Sequence, residues 1–340
     1  MPPSSAESST WRAPRLLVLA DGVPLATAFA AEVQSLGGFS AATFRVRAAL
    51  AGDAADWAAR SGVAIDVQVA LEPLGGFASL VQGNADAISI DPIEGVLTIE
   101  GRDQAAVLIE ARTQDTFANR TASEIANLLA ARHNFAADVE ATTTPVGRYW
   151  ELEHDSLTLN AGARATTEWD LLATLAGWEG FDLWVSGGAL HFRAPATQAA
   201  PTLWTGADFA SLRLSRALAF AGDISVTVKS WHSRAGTGTV QTARTARGAA
   251  TAQDYVFVVP NLTAEAALTL AERRLAEIAG HELLLLAEMP GEFSLVPRGF
   301  FQLAGTFTLY DTVWHIDEVA RRFSPRDGFS QMLRASAASS

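Results

Sequence analysis

The chain has 340 residues, long enough for two or three domains with their own cores and for a stable fold without covalent staples. It contains no cysteine, which excludes disulfides, thiolate zinc sites, iron–sulfur clusters and cysteine nucleophiles. With 37 acidic against 25 basic residues and a formal charge of −12, it is a poor candidate for general nucleic-acid binding, because the phosphate backbone is repelled overall.

Residues 1–11 read as a disordered, Ser-rich tail, and the apolar stretch 16–20 is too short for the core of a signal peptide. The longest wholly apolar runs, such as 283–287, fall far short of a bilayer span. A soluble protein without a membrane anchor, made in the cytoplasm, is expected.

A first strand is expected over 12–19, with Asp21-Gly22 turning the chain back through Pro24 and Leu25. Alternation over 39–50 gives a strand with Phe44, Val46 and Ala48 on one side and Arg45 and Arg47 on the other. A short helical turn carries Trp57, and 63–71 alternates at Val63, Ile65, Val67 and Val69. Further strands follow over 77–82, 88–90 and 95–101. Six or seven short antiparallel strands in the first hundred residues point to a small barrel or sandwich.

At about residue 111 the spacing becomes helical. Thr121 followed by Glu124 is a capping-box pattern for a helix over 123–133, with Ile125, Leu128 and Leu129 on one face. A linker at 142–145 and a short extended piece at 149–153 lead to a second amphipathic helix, which begins at Thr166 and stops at Gly177; Trp169, Leu172, Leu175 and Ala176 face inward. A hairpin follows, 181–185 and 189–192 around Gly187-Gly188.

From 201 the chain returns to strands at 212–214 and 224–231. The polar stretch 233–252, with Arg234, Arg244 and Arg247, reads as a loop, mobile or ordered by a partner. A strand at 255–259 precedes a helix over 264–278, capped by Thr263 and ended by Gly280. Strands at 282–288, 300–304, 313–320 and 328–335 close the chain.

Little chemistry is signalled. His133, His154, His191, His232, His281 and His315 lie far apart without metal-ligand spacing, although His315 and Asp317 share a strand face and His154 lies near Glu151 and Glu153. Carboxylates cluster at Glu151, Glu153 and Asp155 and again at Asp317 and Glu318; solvated faces explain both clusters better than a glycosidase pair does. Gly236-Thr-Gly238 lacks the following helix that a phosphate cradle needs. Trp150, Trp178, Trp184 and Trp204 fall in or beside the middle region and are read as core, with contact to a neighbour as the alternative. No catalytic, cofactor-binding or metal residue is assigned, and no cofactor is expected.

Three stretches, in order, carry a resemblance. The first is the turn Glu100-Gly-Arg-Asp103, the pair Leu108-Ile109 and Thr116-Phe-Ala-Asn-Arg-Thr-Ala-Ser-Glu-Ile-Ala126. The second is Glu168-Trp-Asp-Leu-Leu172 with Gly180-Phe-Asp-Leu183 and Leu190-His-Phe192, and the third is Pro297-Arg-Gly299, Phe301-Gln-Leu-Ala-Gly305 and the strand from Trp314 to Phe323. Together they resemble the phage baseplate hub proteins of the late control gene D type, whose architecture the spike proteins of type VI secretion share.

The resemblance implies a mainly β fold with an α+β insert: two tail-tube-like antiparallel β-barrels plus a small helical and mixed insert. The first barrel would span 12–110, with 203–222 as a candidate to complete it. The insert of two small subdomains would span 111–195, and the second barrel 196–336 with one long helix, 264–279. It also implies a non-enzymatic homotrimer in the virion tail baseplate, adapting a six-fold tail tube to a three-fold central spike and forming the channel for DNA. Partners would be the spike below, the tube or tube-initiator protein above, baseplate wedge proteins and the tape measure protein, with phage DNA passing unbound. Because the sequence ends at Ser340 without a spike-like segment, the spike is expected as a separate chain. The alternative is a cell-wall or capsule polysaccharide hydrolase, using Glu151, Glu153 and Asp155, or a carbohydrate-binding tail component.

Overall fold

The structure, a computed structural model, describes residues 13–50, 54–72, 75–113, 115, 117, 120–143, 146, 167–196, 201–232, 237–247, 252–260 and 262–338. The expected tail 1–11 lies outside the described residues.

Strand β1 (Ala13–Ala20) turns through Asp21 and Gly22, both at positive φ, into the two-residue β2 (Val23–Pro24). Then come β3 (Ala28–Leu36), β4 (Thr43–Ala49), α1 (Ala54–Ala59), β5 (Ala64–Glu72), β6 (Ala78–Asp91) and β7 (Val96–Asp103). Their lateral order is β3-β4-β7-β6-β5-β1-β2, antiparallel throughout. The alternation seen in sequence buries Val18, Val33, Val46, Ile65, Val67, Leu97 and Ile99 in one core, on which β1 returns against β3. Each such side chain contributes about 2 kcal/mol of burial. Strand β6 is continuous where two strands were expected; a bulge between Ala85 and Ala87 breaks its alternation.

The middle region supplies α2 (Ala106–Glu110), α3 (Ala122–Arg132), β8 (Ala136–Val139), α4 (Glu168–Glu179), β9 (Asp182–Ser186) and β10 (Ala189–Arg193). The capping box is formed: the Glu124 amide donates to Thr121 Oγ1 at 3.2 Å, and the Thr121 amide donates to Glu124 Oε2 at 2.9 Å. Helix α4 runs past Gly177 and stops at Gly180, whose φ of 76° suits a residue without a Cβ. The helices and the β8-β10-β9 sheet share a core of Ile125, Leu129, Leu172, Leu175, Leu183 and Phe192.

The remainder forms β11 (Thr202–Thr205), β12 (Ser211–Arg216), β13 (Asp223–His232), β14 (Thr237–Arg244), β15 (Ala252–Val258), α5 (Ala264–Gly280), β16 (Leu283–Pro290), β17 (Phe300–Ala304), β18 (Val313–Ser324) and β19 (Gly328–Ala337). Three expectations are corrected here. Residues 203–222 do not complete the first sheet, because β11 pairs with β17 and β12 with β16. Within 196–336, β14-β13-β15 and α5 stand apart as a separate sheet with its own core of Ile224, Val226, Val228, Ala267 and Ala271. The stretch 233–252 includes β14, which makes a full antiparallel ladder with β13; its Thr and Val residues suit a pleated strand despite their polarity.

Strands β11-β17-β18-β19-β16-β12 reproduce the lateral order β1-β5-β6-β7-β4-β3, strand for strand in chain order. Both long strands, β6 and β18, carry a bulge against the next strand. One difference is β11, which runs parallel to β17 where β1 is antiparallel to β5. The fold is therefore mainly β with an α+β middle, and the two similar sheet modules join edge to edge through β18 and β3.

Candidate functional site

The joint between modules is built from the far half of β18, where 318–323 pair antiparallel with 36–31 of β3. Glu318 is buried, accepts a hydrogen bond from Gln34 Nε2 at 2.6 Å and lies 3.6 Å from Arg334. On the outer face Arg322 and Glu32 form an ion pair at 2.6 Å. Beneath them Arg321, 7% exposed, donates to the carbonyls of Leu295 at 2.7 Å and Glu292 at 3.2 Å. Burial pulls its guanidinium down to about 10. Phe329, Val69 and Leu71 fill the space between the modules, with Phe293 and Phe323 against them.

A cleft of 960 Å³ opens where both modules meet the middle region, lined by Leu36, Leu80, Asp103, Trp184, Arg298 and Arg321 among others. Arg298 ties the three parts together. Its Nη2 donates to Gly38 O at 2.9 Å and Leu183 O at 3.3 Å, and its guanidinium lies 4.9 Å from the Trp184 ring centroid. The backbone of Arg298 has a φ of 69°, a strained conformation for a long side chain. Burial lowers its pKa, partly offset by Asp182 and Asp103. Burial pushes the Asp103 carboxyl up to about 6, opposed by hydrogen bonds from the amides of Ala42 and Ala105 at 2.8 and 2.9 Å. Asp182 is raised by the same cause. Trp169 Nε1, donating to Phe39 O at 2.8 Å, adds a second tie between the first module and α4.

Four histidines are accounted for. His133 meets Glu168 at 2.5 Å, and Arg132 reaches the same buried carboxylate. His191 contacts Asp138 at 2.7 Å and stacks on Trp184 with centroids 4.4 Å apart. His281 contacts Glu277 O, and His315 meets Asp317 at 2.9 Å, the shared strand face read from sequence. His154, the side chain of His232, Trp150 and the trio Glu151, Glu153 and Asp155 lie outside the described residues. Among the described residues no three His, Asp or Glu side chains converge as a metal site would require. Trp178 is exposed; Trp184 and Trp204 are half-buried.

These contacts hold three parts in fixed relation, and two large apolar side chains stand out into solvent beyond them. Ile93, at the β6–β7 turn, is 94% exposed, and Phe307, in the β17–β18 connection, is 95% exposed. The loop that carries Phe307 is ordered by Asp311, which accepts from the amides of Thr306 and Phe307 at 2.9 and 2.8 Å. The described helices include none long and apolar enough to cross a membrane. The joint was not readable from sequence, because Arg298 reaches partners 260 and 115 residues away.

No protein-family model matches the chain, and no curated protein matches it. Solved structures do. A tail protein from Neisseria meningitidis MC58 superposes with a TM-score of 0.69 at 16% identity, over 96% of each chain. The 43 kDa tail protein of prophage MuSo2 from Shewanella oneidensis superposes with a TM-score of 0.71 at 15% identity, over 95% of this chain and 98% of that one. An E. coli protein described as a component of the type VI secretion system gives 0.54 at 10% identity, over 96% of this chain and 77% of that one. The chain thus has the fold of phage tail proteins and of type VI spike-type proteins, the hub-like fold that its three sequence stretches resemble.

Proposed function

We propose that this protein is a structural baseplate hub of a contractile phage tail. It assembles as a homotrimer and catalyses no reaction. Three chains, each with two similar sheet modules, make a ring of six modules that matches a six-fold tail tube on one side and a three-fold spike on the other. The observation that carries this reading is the repeated strand order β1-β5-β6-β7-β4-β3 and β11-β17-β18-β19-β16-β12, spliced through β18 and β3. The similar structures are tail proteins and a secretion-system component, which supports a structural role.

In this reading the spike binds below, and the tube or its initiator binds above. Wedge and tape measure proteins are further neighbours. The net charge of −12 suits a bore along which DNA slides without sticking. Light scattering on the purified chain, with imaging of single particles, tests the proposal. A mass three times that of the monomer and three-fold rings with a six-module rim are expected. A monomer at every concentration, or a bore lined mostly by arginine, would count against it.

A further inference from the structure

The outer face of the β8-β10-β9 sheet carries a run of hydrogen bonds for which the hub reading has no use. Leu183, Val185, Leu190 and Phe192 are buried in the core shared with the helices, so strand alternation gathers Trp184, Ser186 and His191 on the other face. His191 lies opposite Trp184 of β9 and Asp138 of β8, and Ser186 ends β9 at the Gly187-Gly188 turn. A carboxylate can only accept, so the 2.7 Å contact between His191 Nδ1 and Asp138 Oδ2 puts the proton of the neutral ring on Nδ1. His191 Nε2 is then an acceptor, and Ser186 Oγ donates to it at 3.0 Å.

The surroundings hold this order in place. Trp184 stacks on His191 with 7° between the rings, and the Arg298 guanidinium lies 4.9 Å from the same indole. The hydrogen bond from His191, with Arg193 Nη1 at 3.2 Å, keeps the Asp138 carboxyl below its ordinary range and therefore ionised. Ser186 is exposed and lines the 960 Å³ cleft beside Trp184, where Leu36, Leu80 and Val296 supply apolar wall.

We propose that Ser186 accepts one acyl group from an activated acyl ester or thioester and keeps it, with His191 as the base, Asp138 orienting the ring and the acyl chain lying in the cleft. Ser186 Oγ bonds to the carbonyl carbon as its proton passes to His191 Nε2. The bond from that carbon to the leaving oxygen or sulfur then breaks, and the leaving group takes the proton from His191, so no electrons are gained or lost overall. Trp184 Nε1 donates to Oγ at 3.2 Å, but the amide of Gly188 is committed to Gln104 Oε1 at 3.1 Å and does not serve an oxyanion. Each missing oxyanion donor costs about 10²–10³ in rate. A good leaving group overcomes that cost. The serine ester, whose leaving group is an alkoxide, does not, so the group stays on the chain and nothing is turned over.

The test mixes the full chain with excess p-nitrophenyl butyrate and follows nitrophenolate release and intact mass together. One equivalent should be released in a burst that then stops, and peptide mapping should place the butyryl group on Ser186. Competition from amines is small, since Lys229 is the sole lysine. Ser186→Ala should abolish the burst. His191→Phe, which keeps the stack on Trp184, and Asp138→Asn, which favours the other tautomer, should each slow it by about a hundredfold while circular dichroism stays unchanged. Because Ser186 is exposed, Ser186→Ala keeps the test decisive even if His191→Phe fails to fold. The proposal is overturned by the absence of a burst, by a butyryl group found only on Lys229 or the terminal amine, by an equal burst in Ser186→Ala, or by release that runs on past one equivalent.

Discussion

Glu32 and Arg322 meet at 2.6 Å across β3 and β18, two strands that belong to different modules. The pair marks the joint but does not hold it. Both side chains are well exposed, and such pairs contribute less than about 1 kcal/mol. Glu32→Gln should therefore leave the urea midpoint nearly unchanged. Glu318→Ala, which strips the buried acceptor from Gln34 and Arg334, should cost about 2 kcal/mol in the same measurement.

The Asp103 carboxyl supplies a pH dependence of known sign. Its pKa is raised from 3.8 to about 6 in the folded protein, so the folded state holds the proton more tightly than the unfolded chain. The associated stability is fully present below pH 3.8 and is lost as pH rises through about 6. Asp86, Asp138 and Asp311 are shifted the other way, and their stabilisation is lost on acidification. The difference in unfolding free energy between wild type and Asp103→Asn isolates the Asp103 contribution. It should change by up to about 3 kcal/mol between pH 7 and pH 4, in favour of wild type at the lower pH.

Arg298 offsets the buried charge of its neighbours. Arg298→Met keeps the bulk of the stem but removes the nearest compensating cation from Asp103 and Asp182, leaving Arg102 and His315 as their remaining basic neighbours, and removes both hydrogen bonds to Gly38 and Leu183. A loss of about 3 kcal/mol is expected by urea denaturation, together with a further rise in the Asp103 pKa when its titration is followed by NMR.

Two glycines should respond in opposite directions. A methyl group at Gly101 would run into the carbonyl oxygen of Asn84 and the ring of Phe44, and backbone cannot move aside cheaply. Gly101→Ala should cost about 3 kcal/mol by thermal or urea unfolding. Nothing lies within 4 Å of the same position at Gly177, inside α4, so Gly177→Ala should stabilise the protein by about 0.5 to 1 kcal/mol.

Local rules worked where the signal was local. Thr121 and Glu124 announced a cap that both hydrogen bonds complete, and Asp21-Gly22 announced a hairpin. No strand signal marks β3, because Ala28, Ala30 and Ala31 have little strand preference of their own. That strand is held by β4 on one edge and β18 on the other, the second being contact between residues nearly 290 positions apart in the chain. The strand that unites the modules was thus the least legible. The repeat was hidden for a related reason: β13 to α5 interrupt the second copy, so the shared strand order emerges from pairing and not from spacing.

A partition wall serves the rooms on both sides of it, and the far half of β18 is such a wall. Fraying it to let one module breathe would bare the flank of the other, so thermal fluctuation gains nothing by opening either alone. The most slowly exchanging amides should be found along β18 and β3 together, and heating should melt both modules in one calorimetric step. For the hub proposed above, stiffness follows from β18 and β3 pairing directly, with no hinge between the modules where they meet.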